Sequence, residues 1–76
     1  MVSAYIFIQF GPGEPVEVIK KIRNIEGVKQ AHVVTGPADI IAFIEAEDIN
    51  SLENVVTKIR KMAVITGSDT RITWSI

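Results

Sequence analysis

"VVTGPADIIAFIEAED", Val33 to Asp48, sets two apolar runs on either side of a short polar break, Thr35-Gly36-Pro37-Ala38-Asp39. Val and Ile crowd both flanks, and β-branched residues suit a pleated, half-buried surface. Gly and Pro at the centre suit a tight reversal. The pattern predicts an antiparallel hairpin, with one strand over Val28–Thr35 and the next over Ala38–Ala46. Asp48 then stands where the cap of a following helix belongs.

The remaining elements fall into place outward from that hairpin. Val2 to Phe10 is almost wholly apolar or aromatic and reads as a buried strand. Gly11-Pro12-Gly13 breaks it, and Glu14-Pro15 opens a helix, with Pro15 in the first turn where its missing N–H costs nothing. Val18, Ile19, Ile22 and Ile25 form one apolar stripe, and Gly27 is expected to end that helix. After Asp48 the stripe is Leu52, Val55, Val56, Ile59 and Met62. Thr66-Gly67 reads as another break, and Ser68–Ile76 as the last strand. Alternation there sets Ile72, Trp74 and Ile76 on one face and Arg71, Thr73 and Ser75 on the other.

The order strand-helix-strand-strand-helix-strand contains a repeat. Val18, Ile19, Lys21, Ile22, Arg23 and Ile25 recur as Val55, Val56, Lys58, Ile59, Arg60 and Met62. Two βαβ-type units joined by a hairpin make an α+β, ferredoxin-like βαββαβ sandwich. Right-handed crossovers put both helices on one face of a four-stranded antiparallel sheet. The other face is left bare, yet Ile6-Phe7-Ile8 and Ile40 to Ile44 are continuous apolar runs rather than alternations. A second copy laid on the open face accounts for this, so dimerisation through that face is expected.

The composition agrees. The chain has 76 residues, 47% of them hydrophobic, and no cysteine. That length makes one domain, residues 1–76, with a marginal core of its own, which a partner copy would complete. Eight basic against nine acidic residues give a net charge of −1, which offers nucleic acid no basic footprint. No apolar run is long enough to span a membrane, and the N-terminus lacks the basic start of a signal peptide. A cytoplasmic protein is expected.

Catalytic chemistry finds little support. The sole histidine, His32, has no companion at ligand spacing on its strand and reads as a partly exposed strand residue. Glu45, Glu47 and Asp48 read as a solvated rim and a helix cap rather than an acid–base pair. Gly11-Pro12-Gly13 lacks the Gly-Lys-Ser/Thr ending of a phosphate loop. Lys20, Lys21 and Arg23, then Lys58, Arg60 and Lys61, lie late in each helix, where cations complement the macrodipole. RNA readers of this fold present sheet aromatics with basic neighbours. Here Tyr5, Phe7, Phe43 and Trp74 stand among Ile and Val.

The hairpin break remains. Thr35, Gly36, Pro37, Ala38 and Asp39 supply hydroxyl, carboxylate and backbone N–H groups, and Ser68-Asp69-Thr70 supplies a second polar set. Together they carry what a zwitterion needs, donors for a carboxylate and a carboxylate for an ammonium. The same residues are ordinary turn formers, each with a local backbone job. Composition leaves both readings open.

Three segments carry a family resemblance: "VSAYIFIQFGPG", "IRNIEGVKQAHVVTGPADIIAFIEAED" and "KIRKMAVITGSDTRI". They are similar to the effector-binding half, or RAM domain, of the Lrp/AsnC transcription regulators, over essentially the whole chain. The most specific element runs from Gly27-Val28 through Thr35-Gly36 to Asp39-Ile40. The family's Thr-x-Thr appears as Ser68-Asp69-Thr70, and the residue before the Asp, typically aromatic, is Ala38. The resemblance implies a stand-alone RAM module lacking the helix-turn-helix half, without cofactor or enzymatic activity. It implies sheet-to-sheet homodimers that assemble further, commonly into rings of dimers, and an amino-acid effector bound between dimers, near the hairpin turn and the Thr-x-Thr region. Thr35, Gly36, Pro37, Ala38, Asp39, Ser68 and Thr70 are the ligand-binding residues it points to. Full-length Lrp/AsnC regulators are the partners through which such a module would reach transcription. A small dimeric ferredoxin-like enzyme and a purely structural interaction module are the rival readings.

Overall fold

The computed structural model describes residues 1–11, 15–35 and 39–73. In chain order the elements are β1 Val2–Phe10, α1 Pro15–Arg23, β2 Val28–Val33, β3 Ile40–Ala46, α2 Ile49–Arg60 and β4 Ile65–Ile72. The four strands form one sheet in the order β2-β3-β1-β4, and every neighbouring pair is antiparallel. This is the expected ferredoxin-like βαββαβ topology.

Period-two alternation sorts the central strands. Ala4, Ile6 and Ile8 of β1 and Ile40, Ala42 and Ile44 of β3 are fully buried. They meet Val18, Ile19 and Ile22 of α1 and Leu52, Val55 and Ile59 of α2 in a single core. Each Val, Leu or Ile side chain among them contributes roughly 1.5–3 kcal/mol by leaving water. Val56, Met62 and Ile25, also part of the expected stripes, pack partly buried against that core. The alternate residues of the same strands, Tyr5, Phe7, Ile41 and Phe43, face away from the helices and are only half-buried or exposed.

The helix ends follow local chemistry. Asp48 caps α2 as expected, its side chain accepting the Ser51 backbone N–H at 2.8 Å. The Arg23 guanidinium, at the end of α1, donates to the Ala31 carbonyl at 3.0 and 2.7 Å and ties that helix to β2. Gly27 does not cap α1 directly. The helix stops at Arg23, and Gly27 sits beyond a turn at φ 99°, immediately before β2. That backbone region suits glycine. A Cβ there would also come within 2.6 Å of Val55 Cγ2.

Several strand boundaries differ from expectation: β3 begins at Ile40, after Asp39, and β4 ends at Ile72, before Thr73. β2 ends at Val33 rather than Thr35. β4 begins at Ile65, so Thr66-Gly67 lie inside it rather than breaking the chain. The reversal comes earlier, where the Ile65 N–H donates to Met62 O at 3.1 Å. Gln9 pairs with Gly67 and Phe10 with Ile65, which leaves Thr66 as the extra residue of a bulge. A glycine inside a strand often marks such a bulge, which explains why this stretch looked like a break. Expectations for Gly36, Pro37, Ala38, Trp74, Ser75 and Ile76, and for residues 12–14, fall outside the described residues. No helix among the described residues is long and apolar enough to cross a membrane.

Candidate functional site

Strand register decides what the uncovered face presents. One row across the sheet is His32, Ile41, Phe7 and Asp69. The next is Gln30, Phe43, Tyr5 and Arg71. The middle of the face is therefore apolar and aromatic, with the Tyr5 and Phe43 rings 5.0 Å apart between centroids and tilted. The β4 margin is charged. Asp69 and Arg71 are two residues apart and so share a face, and they form an ion pair at 2.9 Å.

A concavity of about 650 Å3 opens on this face. Phe7, Ile41 and Val34 give it apolar lining, and Gln9 of β1 adds a polar side chain. Gly67 and Ser68, with Asp69 and Arg71, bound it on the β4 side, and Thr35 bounds it at the β2–β3 connection. That volume falls in the range of small-molecule sites, whose usual make-up is an apolar lining with a few convergent polar groups. The hydrogen bond from Arg71 holds the Asp69 carboxyl below the ordinary carboxylate range, and the same bond raises the Arg71 guanidinium. Both groups are thus charged at neutral pH.

The residues singled out from the sequence are partly brought together. Thr35 and Ser68, far apart in the chain, line this one concavity, although Ser68 pairs with Ile8, so its side chain lies on the helix side and it borders the concavity through its backbone. Asp39 stands at the head of β3 and is engaged with β1. Its N–H donates to Ile8 O at 3.0 Å, and its Oδ2 accepts the Phe10 N–H at 3.2 Å. Its carbonyl accepts the Val34 N–H at 2.9 Å. Thr70 lies opposite Ile6, on the helix-covered side of the sheet, and does not line the concavity. Gly36, Pro37 and Ala38 belong to the residues not described.

Of the other residues of the site, Asp69 was noted in the polar set Ser68-Asp69-Thr70, while Phe7, Gln9, Val34, Ile41, Gly67 and Arg71 were not assigned to it. The apolar lining depends on cross-strand register, which a single sequence does not print. Asp69 and Arg71 were visible as opposite charges two apart in a strand, a spacing that places both on one face. His32 is exposed on its edge strand. Among the described residues no cluster of His, Cys, Asp and Glu is placed to hold a metal.

A family model described as the Lrp/AsnC ligand binding domain matches residues 3–76. Among solved structures, FFRP-DM1 is 36% identical with a TM-score of 0.91, over 97% of this chain and 100% of its own. The hypothetical protein PHS023 from Pyrococcus horikoshii is 35% identical with a TM-score of 0.90, over 100% of this chain and 93% of its own. Rv3291c, a feast or famine regulatory protein from M. tuberculosis solved in complex with L-methionine, is 21% identical with a TM-score of 0.84. At that identity the likeness is one of fold, and this chain spans 52% of that longer one. No curated protein matches.

Proposed function

The chain belongs to the Lrp/AsnC ligand-binding domain family, and on that premise we propose that it is a non-enzymatic, amino-acid-binding regulatory module that works as an assembly of copies. The observation that carries this reading is the concavity lined by Thr35, from the β2–β3 connection, and by Ser68, from β4. Its lining is mostly apolar, with Gln9 among it, and its margin bears one anion and one cation, a combination suited to a small zwitterion. The methionine-bound relative supports an amino acid as the ligand.

The open sheet face supplies the second half of the reading. Phe7, Ile41 and Phe43 form a continuous apolar strip across the two central strands, and Tyr5 is 44% exposed beside them. A second copy laid sheet to sheet would cover that strip and wall the concavity, which then becomes a site at a subunit seam. Mechanism follows by linkage. A ligand held at the seam stabilises the assembled state by its differential affinity for that state, and assembly tightens the ligand in turn. Residues 1–76 form the unit of both binding and assembly. Larger assemblies of dimers, and co-assembly in the cytoplasm with full-length relatives, are the route to transcription.

Titration calorimetry with the common L-amino acids tests the binding half. Saturable heat with at least one of them supports the reading. Silence across the set at millimolar concentration overturns it.

A further inference from the structure

The margins of the sheet are β2 and β4, and they are finished differently. At β2 the Arg23 guanidinium donates to the Ala31 carbonyl, so the chain's own side chain occupies part of that edge. β4 has no such cover. The Thr73 N–H donates to Ser3 O at 3.0 Å, and Arg71 and Asp69 stand opposite Tyr5 and Phe7 in the same register. Main-chain groups alternate in direction along a strand. Asp69, Arg71 and Thr73 therefore spend theirs on β1, and those of Ser68, Thr70 and Ile72 point away from the sheet. Among the described residues no loop or helix bonds to these outward groups. A row of unspent N–H and C=O groups is a template for another strand, and natural edges are blunted by proline, lysine or a bulge. From Ser68 to Ile72 there is neither proline nor lysine, and the bulge at Thr66 lies upstream.

We propose that β4 pairs antiparallel with the β4 of a second copy, about a two-fold axis at Thr70. In that register the strand is its own complement. Thr70 faces Thr70 of the second copy and Ser68 faces Ile72, so every outward group meets an outward group. Between them Asp69 comes opposite Arg71 of the second copy, at a non-hydrogen-bonded pair, where Cα atoms approach to about 4.5 Å and side chains lie closest. Within one chain these two charges touch at 2.9 Å, with Asp69 56% and Arg71 70% exposed. An ion pair so exposed is weakly held. Across the seam each side chain gains a second partner of opposite sign, which stabilises a strand pair. Charge also fixes the register. A slide of two residues sets Asp69 opposite Asp69 in one direction and Arg71 opposite Arg71 in the other, and like charges directly opposite are unfavourable. A slide of one residue sets outward groups against inward ones. The contact is isologous and closes after two copies. It widens the sheet and leaves its open face free, so it is separate from the face-to-face contact proposed above and does not depend on it.

The chain has no cysteine, so introduced thiols report the register directly. Asp69→Cys and Arg71→Cys are made as separate variants of the full chain; both sites are exposed, and an unchanged melting curve checks the fold. Each is oxidised alone and in an equal mixture, and the products are read on a non-reducing gel. Opposite positions of a non-hydrogen-bonded pair lie within disulfide reach. The mixture is expected to yield a disulfide-linked dimer that neither variant yields alone. Thr70→Pro, added to both variants, removes an outward N–H without removing a bond to β1, and proline is tolerated at such an edge position. The linked dimer should then be lost while the melting transition remains. A mixture that links no more than the separate variants overturns the proposal. So does linkage that survives Thr70→Pro, and so does linkage within either variant alone, which would set like positions opposite each other.

Discussion

The Asp39 carboxylate accepts the backbone N–H of Phe10 at 3.2 Å, tying the end of the β2–β3 connection to the last residue of β1. The sequence suggests a ligand-binding task for Asp39, and the structure gives it a structural one as well. Removing it leaves the Phe10 N–H without that partner and loosens the segment that places Thr35. Asp39→Ala is expected to destabilise the chain by about 1 kcal/mol in urea unfolding, and Asp39→Asn, which keeps an acceptor, by less. Equal losses in the two variants would show that charge, not acceptance, matters there.

Gly27 is a position where glycine is required twice over. Its φ of 99° disfavours any side chain, and an added Cβ would meet Val55 Cγ2 at 2.6 Å and Glu45 O at 3.2 Å. Gly27→Ala is expected to cost roughly 1–3 kcal/mol by chemical denaturation. Pairing it with Val55→Ala should recover the steric part only, so the double variant falls short of additivity. Strict additivity would mean that the two sites do not press on each other.

The cap of α2 makes stability depend on pH in a definite direction. The Ser51 backbone N–H, and then its hydroxyl, hold the Asp48 carboxyl below its ordinary value. A carboxyl whose folded pKa lies below its unfolded one contributes stability above the unfolded value and loses it as pH falls through the folded one. Asp69, lowered by Arg71, acts with the same sign. Melting temperature should therefore decline below the ordinary carboxylate range. Asp48→Asn, which caps without titrating, should flatten part of that decline. An unchanged acid limb in this variant would assign the loss elsewhere.

Much of the architecture was legible because the code for it is local. Pro15, Asp48 and the spacing of Val18, Ile19 and Ile22, then Leu52, Val55 and Ile59, announce both helices, and β1 matches its expected span of Val2–Phe10. The start of β4 was not legible, because Thr66-Gly67 resembles a turn and only pairing with Gln9 and Phe10 shows a bulge. The site divides in the same way. Thr35 and Ser68 could be named from their residue types, whereas the lining of Phe7, Val34 and Ile41 exists only once β1 and β3 are in register beside the end of β2. Thr70 shows the limit most clearly. Its partner Ile6 places it on the helix side of the sheet, a fact set by pairing rather than by composition.

The open face offers a test of assembly that leaves the core untouched. Phe7 stands at its centre, paired with Ile41 on one side and Asp69 on the other. Phe7→Glu would set a charge in the middle of the proposed seam. The expected outcome is a dimer dissociation constant raised at least about tenfold, with far-UV circular dichroism unchanged. Loss of the fold, rather than of the dimer, would show that Phe7 serves the monomer instead.

Sedimentation velocity over a wide concentration range, with and without a saturating amino acid, tests the account most directly. It predicts a dimer or larger species at micromolar concentration, and a shift toward assembly when ligand is added. A monomer that persists as concentration rises, indifferent to every amino acid, would contradict it.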